Sequence, residues 1–167
     1  MIIYFGIGTN LGDREANLRE ALRLLDERVG KQLACSSLYH SAPLGFVSEN
    51  EFVNIVVAYQ TEYSPEDVLI ITQQIECEMG RTQKSVNGIY HDRIIDIDLL
   101  QAYQTINNQL SYTGSASNRS SICEIRAVHC QLPALTLPHP RMHERDFVMI
   151  PLRELDQLLA NSVSTNS

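Results

Sequence analysis

The amino-acid sequence predicts a single α+β domain built on an antiparallel or mixed sheet. Strand-like and helix-like segments alternate, but short links between successive strand-like segments interrupt the alternation and disfavour a doubly wound parallel sheet. The chain of 167 residues is long enough to bury one core, and it contains no internal repeat.

The N-terminal segment predicts a strand followed by a helix. An apolar run at residues 2–7 ends in a glycine-rich turn at residues 8–13. Apolar residues then recur at helical spacing from Leu18 to Leu25, with charged residues on the opposite side. We expect this helix to end at Gly30.

The middle of the chain predicts two strands and a second helix. Residues 32–40 and 52–59 are rich in apolar, aromatic and β-branched side chains, and a long loop joins them. Ser64 and Pro65, followed by two acidic residues, are typical of a helix start. Gly80 ends this helix.

The loop before the next strand is polar. Residues 81–92 predict a mobile loop, and residues 93–100 predict an apolar strand that carries two aspartates.

The C-terminal part predicts shorter elements. Residues 104–131 form a long polar insertion, in which we expect residues 104–121 to be an exposed excursion. Order resumes at residues 135–139. Residues 147–150 predict a short strand and residues 153–159 a last helix. We place the domain at residues 1–160 and expect a frayed tail at residues 161–167.

Composition and charge exclude several classes of function. The formal net charge of −7 argues against a general nucleic-acid-binding protein, which needs a basic surface. No apolar run approaches the length that spans a membrane, and the N-terminus does not resemble a secretory leader. Four scattered cysteines do not suggest a disulfide framework. We therefore expect a cytoplasmic protein with no nucleic-acid or membrane partner.

The most informative motif is the pair Asp96 and Asp98 inside the apolar strand. Side chains alternate along a strand, so both carboxylates point to the same face. They repel each other there, and burial adds the cost of lost hydration. A bound Mg²⁺ resolves both costs, because Mg²⁺ is held by one or two carboxylates, water and substrate phosphates. An edge strand whose aspartates face water is the alternative.

Cationic side chains gather near this pair in two segments. Arg81 and Arg93 flank the predicted mobile loop, and His139 and Arg145 belong to a second cluster at residues 139–145. In an acidic protein, such clusters favour a polyphosphate held between arginines and the metal. Solvated surface charge is the alternative for each arginine taken alone.

Asn54 is an amide in an otherwise apolar strand and needs a hydrogen-bond partner. A flat heterocycle stacked on an aromatic ring such as Phe147 would provide one. Bonding to neighbouring backbone is the alternative.

These motifs together resemble the 6-hydroxymethyl-7,8-dihydropterin pyrophosphokinases, over about residues 1–155. The matching segments, in chain order, are residues 6–13, 36–39, 43–45, 52–54, 75–76, 80–81, 93–100 and 135–145, followed by Phe147. The segments 93–100 and 135–145 are the most specific of these.

The resemblance implies a ferredoxin-like fold in which helices sandwich the sheet. It implies transfer of a pyrophosphoryl group from ATP to the hydroxymethyl oxygen of the pterin, with release of AMP, in folate biosynthesis. Asp96 and Asp98 would bind two Mg²⁺ ions, and Asp96 would receive the hydroxyl proton. Arg81 and Arg93 would close over the triphosphate.

The same resemblance assigns the substrate contacts. The nucleotide would contact Gln73, Glu76, Leu99, Thr136, His139 and Arg145. The pterin would contact Ser41, Ala42, Leu44, Phe52, Asn54, Asp96 and Phe147. We expect only these small-molecule partners and a monomer, with a weak homodimer as the alternative.

The chain departs from the family pattern in three places. Tyr90-His91-Asp92 stands where many members carry Trp-Gly-Pro, and Gln83 replaces an arginine that is often found in the loop. The insertion at residues 104–131 is longer than the usual connection. These departures leave two alternatives open, which are a non-catalytic binding module of the same fold and a two-metal phosphoesterase.

Overall fold

The structure, a computed structural model, describes residues 1–81, 91–107 and 123–164. Its elements in chain order are β1 (Ile2–Thr9), α1 (Arg14–Arg28), β2 (Lys31–Cys35), β3 (Tyr39–Ser41), β4 (Phe52–Gln60), α2 (Pro65–Glu78), β5 (Asp96–Asn107), β6 (Cys123–Val128), β7 (Cys130–Leu132), β8 (Leu135–Leu137), the 3₁₀ turn Met142–Glu144 and α3 (Asp146–Ser164). The predicted α+β class and single domain are confirmed.

The main sheet has the strand order β2-β4-β1-β5-β6, with β3 pairing to the end of β4. Every strand pair within the described residues is antiparallel, including the separate β7-β8 hairpin. Strand β1 lies between β4 and β5 and pairs with both, so these two strands, which are distant in sequence, lie on either side of it.

Helices cover both faces of the sheet and bury two clusters of apolar side chains. On one face, α1 and α2 pack against the side chains of β1 that include Ile3, Phe5 and Ile7. On the other face, α3 packs against a cluster that includes Tyr4 and Leu100. The alternation of β1 side chains between the two clusters follows from the two-residue period of a strand. Strand β4 is buried throughout, except for its last residue, because it has a helix on each side.

The two predicted helix starts are capped as the sequence indicates. The Asp13 carboxylate accepts a hydrogen bond from the Ala16 amide at 3.0 Å, and the Ser64 hydroxyl accepts one from the Asp67 amide at 3.2 Å. Helix α1 ends just before Gly30, where a β-carbon would clash with the carbonyl oxygen of Gln60.

One predicted strand is divided. Residues 32–40 form β2 and β3 with a break between them, where Ser36 bonds to β4 through both its amide and its hydroxyl. The Ser36 hydroxyl accepts a hydrogen bond from the Val56 amide at 2.9 Å, and this local bond replaces regular strand pairing.

The predicted strand at residues 147–150 is wrong, because these residues form the first turns of α3. The apolar run is too short to reveal its own period, whereas Val148, Leu152 and Leu155 recur at helical spacing and are buried together. The last helix therefore begins earlier than predicted. It also continues to Ser164, so the predicted frayed tail at residues 161–167 is wrong for its first four residues, and residues 165–167 lie outside the described part.

Both ends of the predicted polar insertion at residues 104–131 form strands. Strand β5 continues to Asn107 and pairs with β6, which contradicts an exposed excursion beginning at residue 104. Residues 108–122, and residues 82–90 of the predicted mobile loop, lie outside the described residues.

Candidate active site

A pocket of about 410 Å³ lies where β1, β4 and β5 meet α2, the start of α3 and the loop of residues 42–51. This volume suits a small organic ligand. It is lined by most of the predicted site residues, namely Ser41, Ala42, Leu44, Phe52, Asn54, Gln73, Glu76, Arg81, Arg93, Asp96, Asp98, His139, Arg145 and Phe147.

Two predicted nucleotide contacts lie elsewhere. Leu99 is 4% exposed and belongs to the core on the α1/α2 face, as the strand alternation requires. Thr136 is exposed on β8 and does not line the pocket.

The two aspartates lie opposite two glycines. Asp96 pairs with Gly8 and Asp98 pairs with Gly6 across the β5-β1 ladder. Directly opposite residues share one face of a sheet, so Gly6 and Gly8 line the pocket beside the two carboxylates. Neither glycine has a β-carbon, and the side chains of Leu100 and Asn54 approach the space that these β-carbons would occupy. The sequence predicted a strand that includes Gly6 and a turn that begins at Gly8, whereas β1 includes both glycines.

Asp98 carries an unfavourable charge. The pKa of Asp98 is raised to about 7 by burial and by the neighbouring Asp96 carboxylate, against the attraction of Arg145. The distance from Arg145 Nη1 to Asp98 Oδ2 is 3.4 Å, and 39% of the Asp98 side chain remains exposed. The carboxylate therefore faces the pocket with Arg145 as its cationic partner, at a longer distance than the Arg81 contact of Asp96.

Asp96 is held by two arginines. Arg81 Nη1 lies 2.5 Å from Asp96 Oδ1, and Arg93 Nη2 lies 3.3 Å from Asp96 Oδ2. Both arginine side chains are mostly buried, at 12% and 15% exposure. The predicted association of these two cations with the aspartate pair is therefore present in the fold.

Glu76, on α2, contacts both Arg81 and the strand that carries Asp96. It is 6% exposed, accepts a hydrogen bond from the Ile97 amide at 2.7 Å and forms a short contact with Arg81. Burial raises the pKa of Glu76, although the charge of Arg81 opposes the rise. Glu76 thus connects α2 to the strand that carries the aspartates and fixes the guanidinium of Arg81 beside Asp96.

His139 and Arg145 enter the pocket from the segment before α3. The His139 amide bonds to the Leu100 carbonyl at 2.7 Å, which ties this segment to the sheet. Its Nδ1 accepts a hydrogen bond from the Arg141 amide at 3.2 Å, so in the neutral ring the proton is on Nε2. Burial, and then Arg145 and Arg141, lower the pKa of His139. The neutral ring donates one hydrogen bond from Nε2. Because it carries no charge, it does not compete with the arginines for a negatively charged partner.

The buried guanidinium groups retain capacity for a ligand. The Nε atoms of Arg81 and Arg145 are buried and have no hydrogen-bond partner within the described part of the chain. Unsatisfied buried donors are rare in folded proteins. An anion with several oxygens would satisfy them and balance the positive charge.

Aromatic rings and an amide form the other end of the pocket. Phe46 and Phe52 are edge to face with centroids 6.3 Å apart, and the Arg93 guanidinium lies 5.3 Å from the Phe52 ring centre. Asn54 is 6% exposed and donates from Nδ2 to the Ser41 hydroxyl at 3.0 Å and the Tyr39 carbonyl at 3.3 Å. Asn54 therefore bonds to the neighbouring strand and also lines the pocket.

Sequence reasoning did not assign several side chains in the lining, among them Phe46 and Arg141. Phe46 adds an aromatic wall, and Arg141 adds a cation that was seen only as part of a cluster. An aromatic side chain within the long loop was the sequence signal that could have identified Phe46 as a pocket residue.

Comparison with known proteins agrees with this geometry. The sequence profile of the 7,8-dihydro-6-hydroxymethylpterin-pyrophosphokinase (HPPK) family matches residues 4–157. The chain belongs to this family. It is therefore an ATP-dependent diphosphotransferase of folate biosynthesis.

Two relatives illustrate the similarity. A Porphyromonas gingivalis protein named 2-amino-4-hydroxy-6-hydroxymethyldihydropteridine pyrophosphokinase is 44% identical over 156 residues, covering 92% of this chain and 90% of that protein. A Bacillus subtilis protein of the same name is 35% identical over 157 residues, covering 93% of this chain and 78% of that protein.

A solved structure shares the fold. A crystal structure described as HPPK-DHPS in complex with substrates matches with a TM-score of 0.59 and 15% identity, over 92% of this chain and 40% of that chain. Among the described residues, no helix is both long enough and apolar enough to span a membrane.

Proposed function

We propose that this pocket is where the pyrophosphoryl group of ATP is transferred to the hydroxymethyl oxygen of 6-hydroxymethyl-7,8-dihydropterin. A bond forms between that oxygen and the β-phosphorus, the bond from the β-phosphorus to the bridging oxygen of the α-phosphate breaks, and AMP leaves. The observation that carries the proposal is the pair Asp96 and Asp98 facing one pocket together with Arg81, Arg93 and Arg145.

The arginines have a defined task in this reaction. Negative charge develops on the β-phosphate and on the departing α-phosphate, and catalysis depends on cations placed there in advance. Arg81 and Arg145 line the pocket, and each has a buried Nε without a hydrogen-bond partner in the described part of the chain. His139, neutral because of its lowered pKa, donates from Nε2 to another oxygen.

Two Mg²⁺ ions would be held by Asp96 and Asp98. The donor set fits, since it consists of hard carboxylate oxygens. The pKa of Asp98 is raised by burial and then by the neighbouring negative charge of Asp96, which a cation would offset. Within residues 1–81, 91–107 and 123–164, no group of three or more His, Cys, Asp or Glu side chains is placed to hold a metal ion. Substrate phosphates and water would therefore complete the coordination. When bound, Mg²⁺ neutralises phosphate charge and makes the phosphorus more electrophilic.

Asp96 is the proposed acceptor of the hydroxyl proton. Both of its oxygens contact arginines. Phosphate oxygens compete for the same guanidinium groups, so binding of ATP would release Asp96 toward the hydroxyl. This makes ATP binding a precondition for proton transfer.

The remaining substrate assignments follow the two ends of the pocket. Gln73 and Glu76 would lie at the nucleotide end, with Leu99 and Thr136 as predictions outside the lining. At the pterin end, Ser41, Ala42 and Leu44 would supply loop contacts, Asn54 a hydrogen bond, and Phe52 and Phe147 the walls of the ring site.

Three other expectations also belong to this proposal. The strand order β2-β4-β1-β5, with α1 after β1 and α2 after β4, supports a ferredoxin-like arrangement. A cytoplasmic location and a monomeric state stay predictions.

The test is to identify the adenine nucleotide product. The protein is incubated with ATP, Mg²⁺ and the reduced pterin, and nucleotides are separated by chromatography. AMP is the expected product, and its formation should stop when a chelator removes Mg²⁺. Formation of ADP, or no turnover, would contradict the proposal.

The same assay distinguishes the alternatives. Phosphate release from esters without any pterin would identify a two-metal phosphoesterase. Pterin binding without AMP release would identify a non-catalytic binding module. Asp96→Ala should remove nearly all turnover, whereas Glu15→Gln, at an exposed carboxylate on α1, should leave it unchanged.

A further inference from the structure

Asp92, the residue immediately before Arg93, is bonded to two distant segments of the chain. Its Oδ1 accepts a hydrogen bond from Asn10 Nδ2 at 2.7 Å, and its Oδ2 accepts one from Asn50 Nδ2 at 2.7 Å. The Ser48 hydroxyl also bonds to this carboxylate and holds its pKa below the ordinary range. Hydrogen bonds to an ionised carboxylate are about twice as strong as those between neutral groups.

Asn10 forms the centre of this cluster. It is 3% exposed at the end of β1 and exchanges two hydrogen bonds with Arg93, from its own amide to the Arg93 carbonyl at 3.2 Å and from the Arg93 amide to its Oδ1 at 2.8 Å. Its Nδ2 also donates to the Asn50 carbonyl at 3.2 Å. We call Asn10, Asn50 and Asp92 the Asp92 clasp.

The clasp joins parts of the pocket that have different tasks. The loop of residues 42–51 lines the pterin end through Ala42, Leu44 and Phe46. Arg93 lies between this end and the aspartates, with its guanidinium 5.3 Å from the Phe52 ring centre and 3.3 Å from Asp96. These parts are far apart in sequence, and the Asp92 carboxylate is bonded to the end of the loop while its own backbone continues into Arg93.

We propose that Asp92 is a positioning residue that couples the pterin loop to the orientation of Arg93, which rests on the function proposed above. Asp92 itself does not line the pocket. Its loss would let the loop and Arg93 move independently, and substrate binding would then have to restore their relative position. Loss of the carboxylate should lower pterin affinity more than it lowers the free energy of unfolding, because the strand pairing and the helix packing do not use this carboxylate.

The test uses a swap of donor and acceptor. Asp92→Asn replaces one carboxylate oxygen by an NH₂ group, which sets two donors against each other at either Asn10 or Asn50. We expect the KM and the Kd for the pterin to rise about tenfold, with a smaller change in kcat and little change in Tm. The double variant Asp92→Asn/Asn50→Asp restores one donor and one acceptor at each contact and should recover most of the affinity.

Controls separate positioning from charge and from folding. Glu49→Gln removes one negative charge from the same loop at an exposed side chain and should leave KM and Kd unchanged. If Asp92 had a purely structural role, Asp92→Asn would lower Tm without a change in pterin affinity. If the Asp92 charge acted directly, the double variant would bind the pterin as weakly as Asp92→Asn. Either result would overturn the proposal.

The measurements also separate this inference from the reaction itself. Pterin Kd is measured by calorimetry and does not require turnover. If the wild-type protein forms AMP and Asp92→Asn binds pterin normally, only the clasp is refuted. If no AMP forms but the affinity falls and the swap restores it, the clasp stands and the proposed reaction fails.

Discussion

Asp98→Asn is expected to stabilise the metal-free protein while it abolishes turnover. The pKa of Asp98 is raised from 3.8 to about 7 by burial and by Asp96. Between these values the folded protein keeps a proton that the unfolded chain has released, so stability falls as the pH rises through this window. Asparagine has no such proton and does not undergo this loss.

The expected size follows from the shift and from exposure. A change from 3.8 to about 7 corresponds to about 4 kcal/mol at 1.36 kcal/mol per pKa unit. Since 39% of the Asp98 side chain is exposed, solvent screening reduces this to about 1–2 kcal/mol. The variant should exceed the wild type by this amount at about pH 8 and match it near pH 4.

The assay is urea unfolding in the presence of a chelator, at about pH 4 and about pH 8, on either side of the window. Glu15→Gln is the matched control, because its 65%-exposed carboxylate should change the unfolding free energy by less than about 0.5 kcal/mol at both values. AMP formation by Asp98→Asn should fall by at least about a hundredfold. An equal stability difference at both pH values would refute the electrostatic reasoning, and a near-normal rate would refute the metal role.

Three further outcomes are expected. Gly8→Ala puts a β-carbon 2.7 Å from the Oδ1 of Asn54, whose amide nitrogen is already bonded, and should raise the pterin KM by about tenfold. The β-carbon of Gly6→Ala would lie 3.3 Å from the buried Leu100 side chain and away from Asn54, so this variant should raise the pterin KM less. Equal effects would argue against the Asn54 contact. The His139 ring should titrate below the ordinary value of about 6.5 in NMR spectra, because burial and nearby arginines disfavour its cation, and bound ATP should raise its pKa. Arg145→Lys should lower kcat/KM by about tenfold or more, since lysine lacks the planar group that lies 5.8 Å from the Phe147 ring centre, and an unchanged kcat/KM would exclude a phosphate contact.

Local sequence patterns predicted most of the elements correctly. Helices α1 and α2 follow from side chains that recur at helical spacing, with Asp13 and Ser64 capping their first turns. Strand β5 follows from the alternation of apolar residues with Asp96 and Asp98. These signals are local, because an element's period is determined by its own backbone geometry.

Predictions failed where the local signal was short or had two interpretations. The four residues at 147–150 fit a strand or a helix equally well, and burial of Val148, Leu152 and Leu155 on one side of α3 decides for the helix. At Ser36 a bond to β4 interrupts what the composition predicts as one continuous strand.

Residue types and local spacing were enough to show which residues carry charge and hard oxygen ligands, and which segments present them on one face. The sequence also supplied the family resemblance. These properties depend on residue type and on spacing within one element, so they are readable before the chain folds.

How these groups meet depends on the tertiary structure. Gly6 and Gly8 lie beside Asp98 and Asp96 because β1 pairs with β5, although the two strands are far apart in sequence. Asn10 reaches Asp92 for the same reason, across 82 residues of chain. Such contacts depend on strand order and register, which are determined by the burial of two opposite apolar faces at once.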